Sequence, residues 1–107
     1  MVIDFNEIEE VAMMNFKGGI GELDTRNYVE EGCRIMLSRL QPGASSGEHT
    51  HVGDGEIVYV IKGEATFCYD GVNEVVYAGQ VHYCPDGHTH YMKNETEDEV
   101  LYLAIVK

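Results

Sequence analysis

The sequence predicts an all-β fold: one small sandwich or barrel of short antiparallel strands. Three observations carry this. Short apolar and β-branched runs recur along the chain, turn residues separate them about every eight to twelve positions, and helical periodicity is weak. At 107 residues the chain fits one domain. Within it, 1–32 reads as an N-terminal arm with first strands and 33–107 as the β core.

Residues Asn6 to Met14 carry Ile8, Val11 and Ala12 at helical spacing. The segment is short, and an extended arm fits it equally. Gly18-Gly19-Ile20-Gly21 resembles a phosphate loop only superficially. No Lys-Ser/Thr pair or strong helix follows, so it reads as a turn. Cys33 to Leu40 alternates in part and stops at Gln41-Pro42-Gly43. Glu56 to Ile61 is an apolar strand ending at Lys62-Gly63. Ala65 to Tyr69 and Glu74 to Tyr77 form a hairpin around Asp70-Gly71-Val72-Asn73. Gln80 to Cys84 runs into Pro85-Asp86-Gly87, and His90 to Lys93 follows. Val100 to Val106 is almost wholly apolar, so it is either buried on both faces or covered by a partner.

Charge and cysteine content exclude several classes. Seven basic residues against 19 acidic ones give a net charge of -12. Such a surface repels nucleic acid and anionic membranes. Cys33, Cys68 and Cys84 are widely spaced with no CxxC, so neither a redox pair nor a zinc-thiolate clip is signalled. The acidic start of the chain lacks the apolar core of a signal peptide, and no apolar run is long enough to span a bilayer. A cytoplasmic location is expected.

The chemistry concentrates in His49-Thr50-His51 and Glu56. On a strand the two histidines project from one side, with Cα atoms about 6–7 Å apart. Two imidazoles and a carboxylate from the next strand suit a borderline divalent metal.

The surrounding register is more specific. Gly43, five residues, His49-Thr50-His51, four residues, Glu56, six residues and Gly63 form one pattern. Gly79, five residues, Pro85-Asp86-Gly87, two residues, His90, three residues and Asn94 form a second. These resemble the two motifs of the cupin superfamily, with ten specified positions filled and no mismatch. They span about half the chain, from Gly43 to Asn94, and fifteen residues between Gly63 and Gly79 leave no room for an inserted domain. The resemblance implies a small single-domain cupin, a double-stranded β-helix (jelly-roll) barrel. It also implies metal ligands His49, His51, Glu56 and His90. One carboxylate leaves a divalent ion a net charge of about +1, and open coordination positions mark a site built for chemistry rather than structure. Fe, Mn, Co, Ni, Cu and Zn all suit the set. The glycines and Pro85 shape the turns.

Strand parity and loop position place the other residues. Met92 shares strand parity with His90 and faces the interior. Tyr59 and Tyr91 have the opposite parity to the ligands and pack elsewhere. Met36, Ser38 and Leu40 alternate with Leu37 and Arg39, and one set lines the pocket. Arg39 inside would bind a carboxylate, but a surface position is expected. Glu48, Asp54 and His88 read as loop residues, with Asp54 or Glu48 as alternative hydrogen-bond partners for a ligand histidine. Cys84 packs. The face of His82 is open.

The leading functional expectation is a metal-dependent enzyme of the dioxygenase type acting on a small chelating substrate. The alternatives are a metal-dependent isomerase or decarboxylase, and a non-catalytic cupin that binds or senses a sugar or carboxylate. No catalytic residue beyond the metal is evident, and a homodimer is expected.

Overall fold

The computed structural model describes residues 1–107. Ten strands follow in chain order: β1 (Val11–Met14), β2 (Glu22–Glu30), β3 (Cys33–Leu40), β4 (His49–Thr50), β5 (Glu56–Lys62), β6 (Glu64–Tyr69), β7 (Val72–Tyr77), β8 (Val81–Cys84), β9 (Thr89–Lys93) and β10 (Val100–Val106). They form two antiparallel sheets. One has six strands in the order β1-β2-β3-β10-β5-β8, the other four in the order β4-β9-β6-β7. Isolated bridges from Ser45 to Ile20 and to Lys93 tie the sheets at one corner. The result is the expected jelly roll.

Strand alternation sets the core. In β10, Val100, Tyr102, Ala104 and Val106 are buried between the sheets, whereas Leu101, Leu103 and Ile105 are half-buried on the outer face. Val58 and Val60 of β5 meet Phe67 of β6 across the same interior. A core of 14 buried residues draws on both sheets. Of the two alternatives for the last strand, burial on both faces is therefore not what occurs. Its outer face stays partly open.

The N-terminal segment takes the extended alternative. Asp4 caps a single 3-10 turn, Phe5–Glu7, by accepting from the Asn6 backbone N–H at 2.9 Å. Val11–Met14 then pairs with the start of β2. The turn of the β6–β7 hairpin is tighter than the sequence suggests. Asp70 and Gly71 both have positive φ, 48° and 82°, so two residues close it and Val72 and Asn73 already belong to β7. Gly63, a motif glycine, has φ of 90°, and a Cβ there would lie 2.9 Å from the Glu99 carbonyl oxygen. Asn94, another motif residue, is a structural staple. Its Nδ2 donates to the carbonyls of Leu40 (3.0 Å) and Asp98 (2.8 Å), and its Oδ1 accepts from the Thr96 N–H at 2.9 Å.

No helix is long and apolar enough to cross a membrane.

Candidate metal centre

Four residues from both sheets converge at one point. His49 of β4 lies directly opposite His90 of β9 in the four-stranded sheet. His51 follows one residue past the end of β4, and Glu56 opens β5 in the other sheet. One ligand atom from each of His49, His51, Glu56 and His90 lies within 4.8 Å of all the others. His90 Nε2 is 3.0 Å from His51 Nε2, 3.1 Å from His49 Nε2 and 2.9 Å from Glu56 Oε1. His51 and His90 are buried, and His49 and Glu56 are partly so.

The donor chemistry tests whether a cation fits. Each imidazole is held by its outer nitrogen. His49 Nδ1 donates to the Gly47 carbonyl at 2.8 Å, and His51 Nδ1 to Asp54 Oδ1 at 2.9 Å. A carbonyl or carboxylate only accepts, so both protons sit on Nδ1 and both Nε2 atoms carry bare lone pairs when the rings are neutral. His90 Nδ1 meets His82 Nε2 at 2.9 Å. His90 Nε2 lies about 3 Å from each of these two bare nitrogens, and neither has a proton to give it. A divalent cation, or a proton in its stead, relieves this. The residues fit a metal of the imidazole–carboxylate class.

Burial pushes the Glu56 carboxyl up, but His51 and His90, when a proton on Nε2 stands in for the cation, donate to it and outweigh burial, holding the group at about 2. Glu56 is thus a carboxylate whenever a metal is offered. His51 is raised by Glu56, with burial opposing and Asp54 adding. His49 is lowered, chiefly by burial, and the Lys17 charge adds to this.

The sequence-level assignments sort cleanly. Met92 is buried and lines the cavity beside the cluster. Met36, Ser38 and Leu40 are the inward set of β3. Arg39 points outward and is paired with Glu10 and Glu99. Of the two loop acids, Asp54 is the one that accepts from a cluster histidine, His51. His88 stays at the surface, with Nδ1 2.6 Å from Asp70 Oδ2 and 3.1 Å from the Tyr69 hydroxyl. Cys84 packs in the core, where burial pushes its thiol up to about 11. Tyr59 faces away from the cluster, as its parity implies, but it does not pack. It is 42% exposed on the outer sheet face.

Sequence reasoning missed three contributors. His82 points inward, is fully buried and is lowered by burial. Its parity on a four-residue strand gave no reason to choose a face. Lys17 and Arg34 line the same cavity as the ligands. Lys17 arrives through an irregular turn in which Asn15 and Lys17 both have positive φ, a placement no periodicity reports.

Two facing antiparallel sheets with a His-His-Glu-His cluster between them define a small cupin-type metal-site jelly roll. Residues 36–106 match the cupin domain profile, and the chain belongs to the cupin family. It is similar to the oxalate-binding protein of Thermotoga maritima, at 30% identity over 112 residues, covering 99% of this chain and 93% of that one. The crystal structure of a predicted oxalate decarboxylase from Thermotoga maritima superposes with a TM-score of 0.90 at 29% identity, covering 99% of this chain and 97% of that one. A sugar phosphate isomerase of the cupin superfamily from Silicibacter pomeroyi gives a TM-score of 0.81 at 21% identity, covering 100% and 75%. At that identity it shares the fold alone.

Proposed function

We propose that the protein holds a divalent transition metal on His49, His51, Glu56 and His90 and uses it to bind a small dicarboxylate of the oxalate type. One observation carries the choice of an anion. The chain has 19 acidic residues, yet Glu56 is the sole acid lining the cavity, while two of the seven Lys and Arg residues, Lys17 and Arg34, line it. An otherwise repelling surface therefore has a positive interior. The ion with Glu56 carries about +1, and the two cations bring the formal total to about +3. An oxalate chelating the open metal positions satisfies that charge, and the names of the two Thermotoga maritima relatives point to the same ligand class.

Binding is favoured over turnover. Decarboxylation must deliver a proton to carbon, and the proton carriers lining the cavity outside the ligand set are Lys17 and Tyr102. Burial pushes the Tyr102 hydroxyl far above its ordinary range. Dioxygenase chemistry, the leading expectation from sequence, would act through the same metal, but no residue of the cavity favours it over carboxylate binding.

Calorimetry decides. Oxalate should bind the Mn2+- or Zn2+-loaded protein and not the metal-free one, with acetate and a neutral sugar much weaker. Formate and CO2 released from oxalate would convert the binding reading into a decarboxylase. Equal binding of sugar and oxalate would sink the anion reading.

A second copy of the chain is the proposed partner. On the outer face of the six-stranded sheet, Ile57 pairs with Tyr83 and Tyr59 with Val81 across β5 and β8. These four side chains are between 42% and 57% exposed. Half-buried Leu103 and Ile105 of β10 and Leu37 and Ile35 of β3 continue the stripe in register. A contiguous apolar face over four strands marks an interface. Sedimentation as a monomer at micromolar concentration would contradict it. The free thiols Cys33, Cys68 and Cys84 fit a reducing compartment, which supports a cytoplasmic site of action.

A further inference from the structure

We propose that His82 and Glu74 are positioning residues for the metal centre: together they hold His90 in the one neutral tautomer that presents a bare Nε2 to the cation. The inference rests on the metal reading above and deepens it.

The His82 side chain is 0% exposed, yet both of its ring nitrogens are engaged. Nδ1 lies 2.8 Å from Glu74 Oε1, and Nε2 lies 2.9 Å from His90 Nδ1. Directions follow from the ends of this chain. The Glu74 carboxylate only accepts, so the His82 proton is on Nδ1. Neutral His82 then has a bare Nε2, which can only accept. The proton it receives must be on His90 Nδ1, and that leaves His90 Nε2 unprotonated and aimed at His49, His51 and Glu56. The reverse polarity would require a protonated Glu74, or a cationic His82 at a position with no exposure, and would place a hydrogen on a neutral His90 Nε2, where the cation belongs.

Packing keeps the chain in line. The His82 ring stacks on Phe67, with centroids 3.9 Å apart and planes 16° apart. It lies nearly parallel to His90, at 5.2 Å and 18°. Neither imidazole can swivel without breaking a stack. Among the three ligand histidines, His49 and His51 reach an oxygen acceptor directly, whereas His90 reaches its carboxylate only through a second imidazole. Hydrogen bonding of a ligand ring to such an acceptor orients it and raises its basicity toward the metal.

A plainer role exists for the same residues. His82 sits on β8, an edge strand of the six-stranded sheet, and Glu74 on β7, an edge strand of the other. The pair therefore also bridges two sheets. A purely structural bridge would shift the melting temperature and leave metal binding and tautomers untouched.

The full-length protein separates the two roles. Co2+ alone is the probe, titrated by calorimetry and by its visible d–d spectrum, in wild type, Glu74→Gln and His82→Phe. Imidazole 15N–1H correlation spectra of the Zn2+-loaded wild type and Glu74→Gln report the tautomers. Glu74 has a 47% exposed side chain, and glutamine keeps its size while losing the obligatory acceptor, so Glu74→Gln should fold and decides the question if His82→Phe does not. We expect His82 to carry its proton on Nδ1 in wild type and to populate both tautomers in Glu74→Gln. Co2+ affinity should fall roughly 10-fold in Glu74→Gln and up to roughly 100-fold in His82→Phe. A wild-type His82 protonated on Nε2, or wild-type Co2+ affinity and spectrum in Glu74→Gln, overturns the proposal and leaves the metal centre standing. Absence of Co2+ binding by wild type overturns the metal reading itself, and the proposal with it.

Discussion

Gly47→Ala should damage the metal centre although Gly47 is no ligand. A Cβ at this position would lie 1.7 Å from the Lys17 carbonyl oxygen and 2.5 Å from its carbonyl carbon. An ordinary carbon–oxygen contact needs about 3.5 Å, so one backbone segment must retreat by about 1.5–2 Å. Both sides of the contact belong to the site. The Gly47 carbonyl anchors His49 Nδ1, and its N–H donates to the Phe16 carbonyl at 2.9 Å, which seats the turn carrying Lys17. Retreat of Gly47 tilts His49 away from the cluster. Retreat of the turn withdraws Lys17 from the cavity. A site holds its geometry only within about 0.5 Å, so retreat of Gly47 should lower metal affinity at least roughly 10-fold, retreat of the turn should weaken oxalate binding instead, and either way overpacking should cost about 1–3 kcal/mol of stability. Calorimetric titration with Zn2+ and with oxalate, and thermal melting, read these effects. Gly32→Ala is the control. Gly32 has φ of 75° and nothing within 4 Å of its Cβ, so the variant should lose about 1–2 kcal/mol and keep its metal affinity. Wild-type affinity for both Zn2+ and oxalate in Gly47→Ala would refute the reasoning.

Other outcomes follow from the same geometry. Glu56→Ala or His51→Ala should abolish or sharply weaken metal binding while circular dichroism still shows the β fold; loss of the fold in both would make the cluster structural. Metal affinity should fall with acidity, because the cation binds neutral imidazoles and competes with protons. His51, raised by Glu56, protonates first and costs about tenfold per pH unit once the pH is below its pKa, with His49, lowered by burial, joining at lower pH. A flat affinity from pH 8 to pH 5 would count against histidine ligation. Lys17→Ala should weaken oxalate binding and leave Zn2+ affinity near wild type, and equal oxalate affinity would remove Lys17 from the anion site. Asn94→Ala strands the carbonyls of Leu40 and Asp98 and should cost about 2–4 kcal/mol in denaturant unfolding, with a loss under 1 kcal/mol showing that water replaces the amide.

Much of this molecule is legible in its residues because local chemistry and tertiary demand agree. Cys33–Leu40 and Val100–Val106 are the observed bounds of β3 and β10. The turn glycines Gly43, Gly63, Gly79 and Gly87 all adopt positive φ. The four cluster residues meet as their register implies. The strand Glu22–Glu30 has no such signature. Its inward Thr25 and its outward but covered Asp24 are polar, and they are satisfied by partners distant in sequence: Gln41 Nε2 donates to Asp24 at 2.9 Å, and Thr25 shares a 2.7 Å hydrogen bond with Ser38. Only pairing with β1 and β3 makes that segment a strand. Lys17, Arg34 and His82 escaped for a related reason. Each matters through a neighbour from another part of the fold, and neither spacing nor alternation encodes that neighbour.

The central claim is that His49, His51, Glu56 and His90 hold one metal ion. Anomalous diffraction, at absorption edges chosen by X-ray fluorescence, tests it most directly on crystals of protein purified without chelator. The account predicts a single strong peak bounded by the Nε2 atoms of the three histidines and the Glu56 carboxylate. An empty cluster in protein that still binds oxalate, or a metal seated elsewhere, would contradict it.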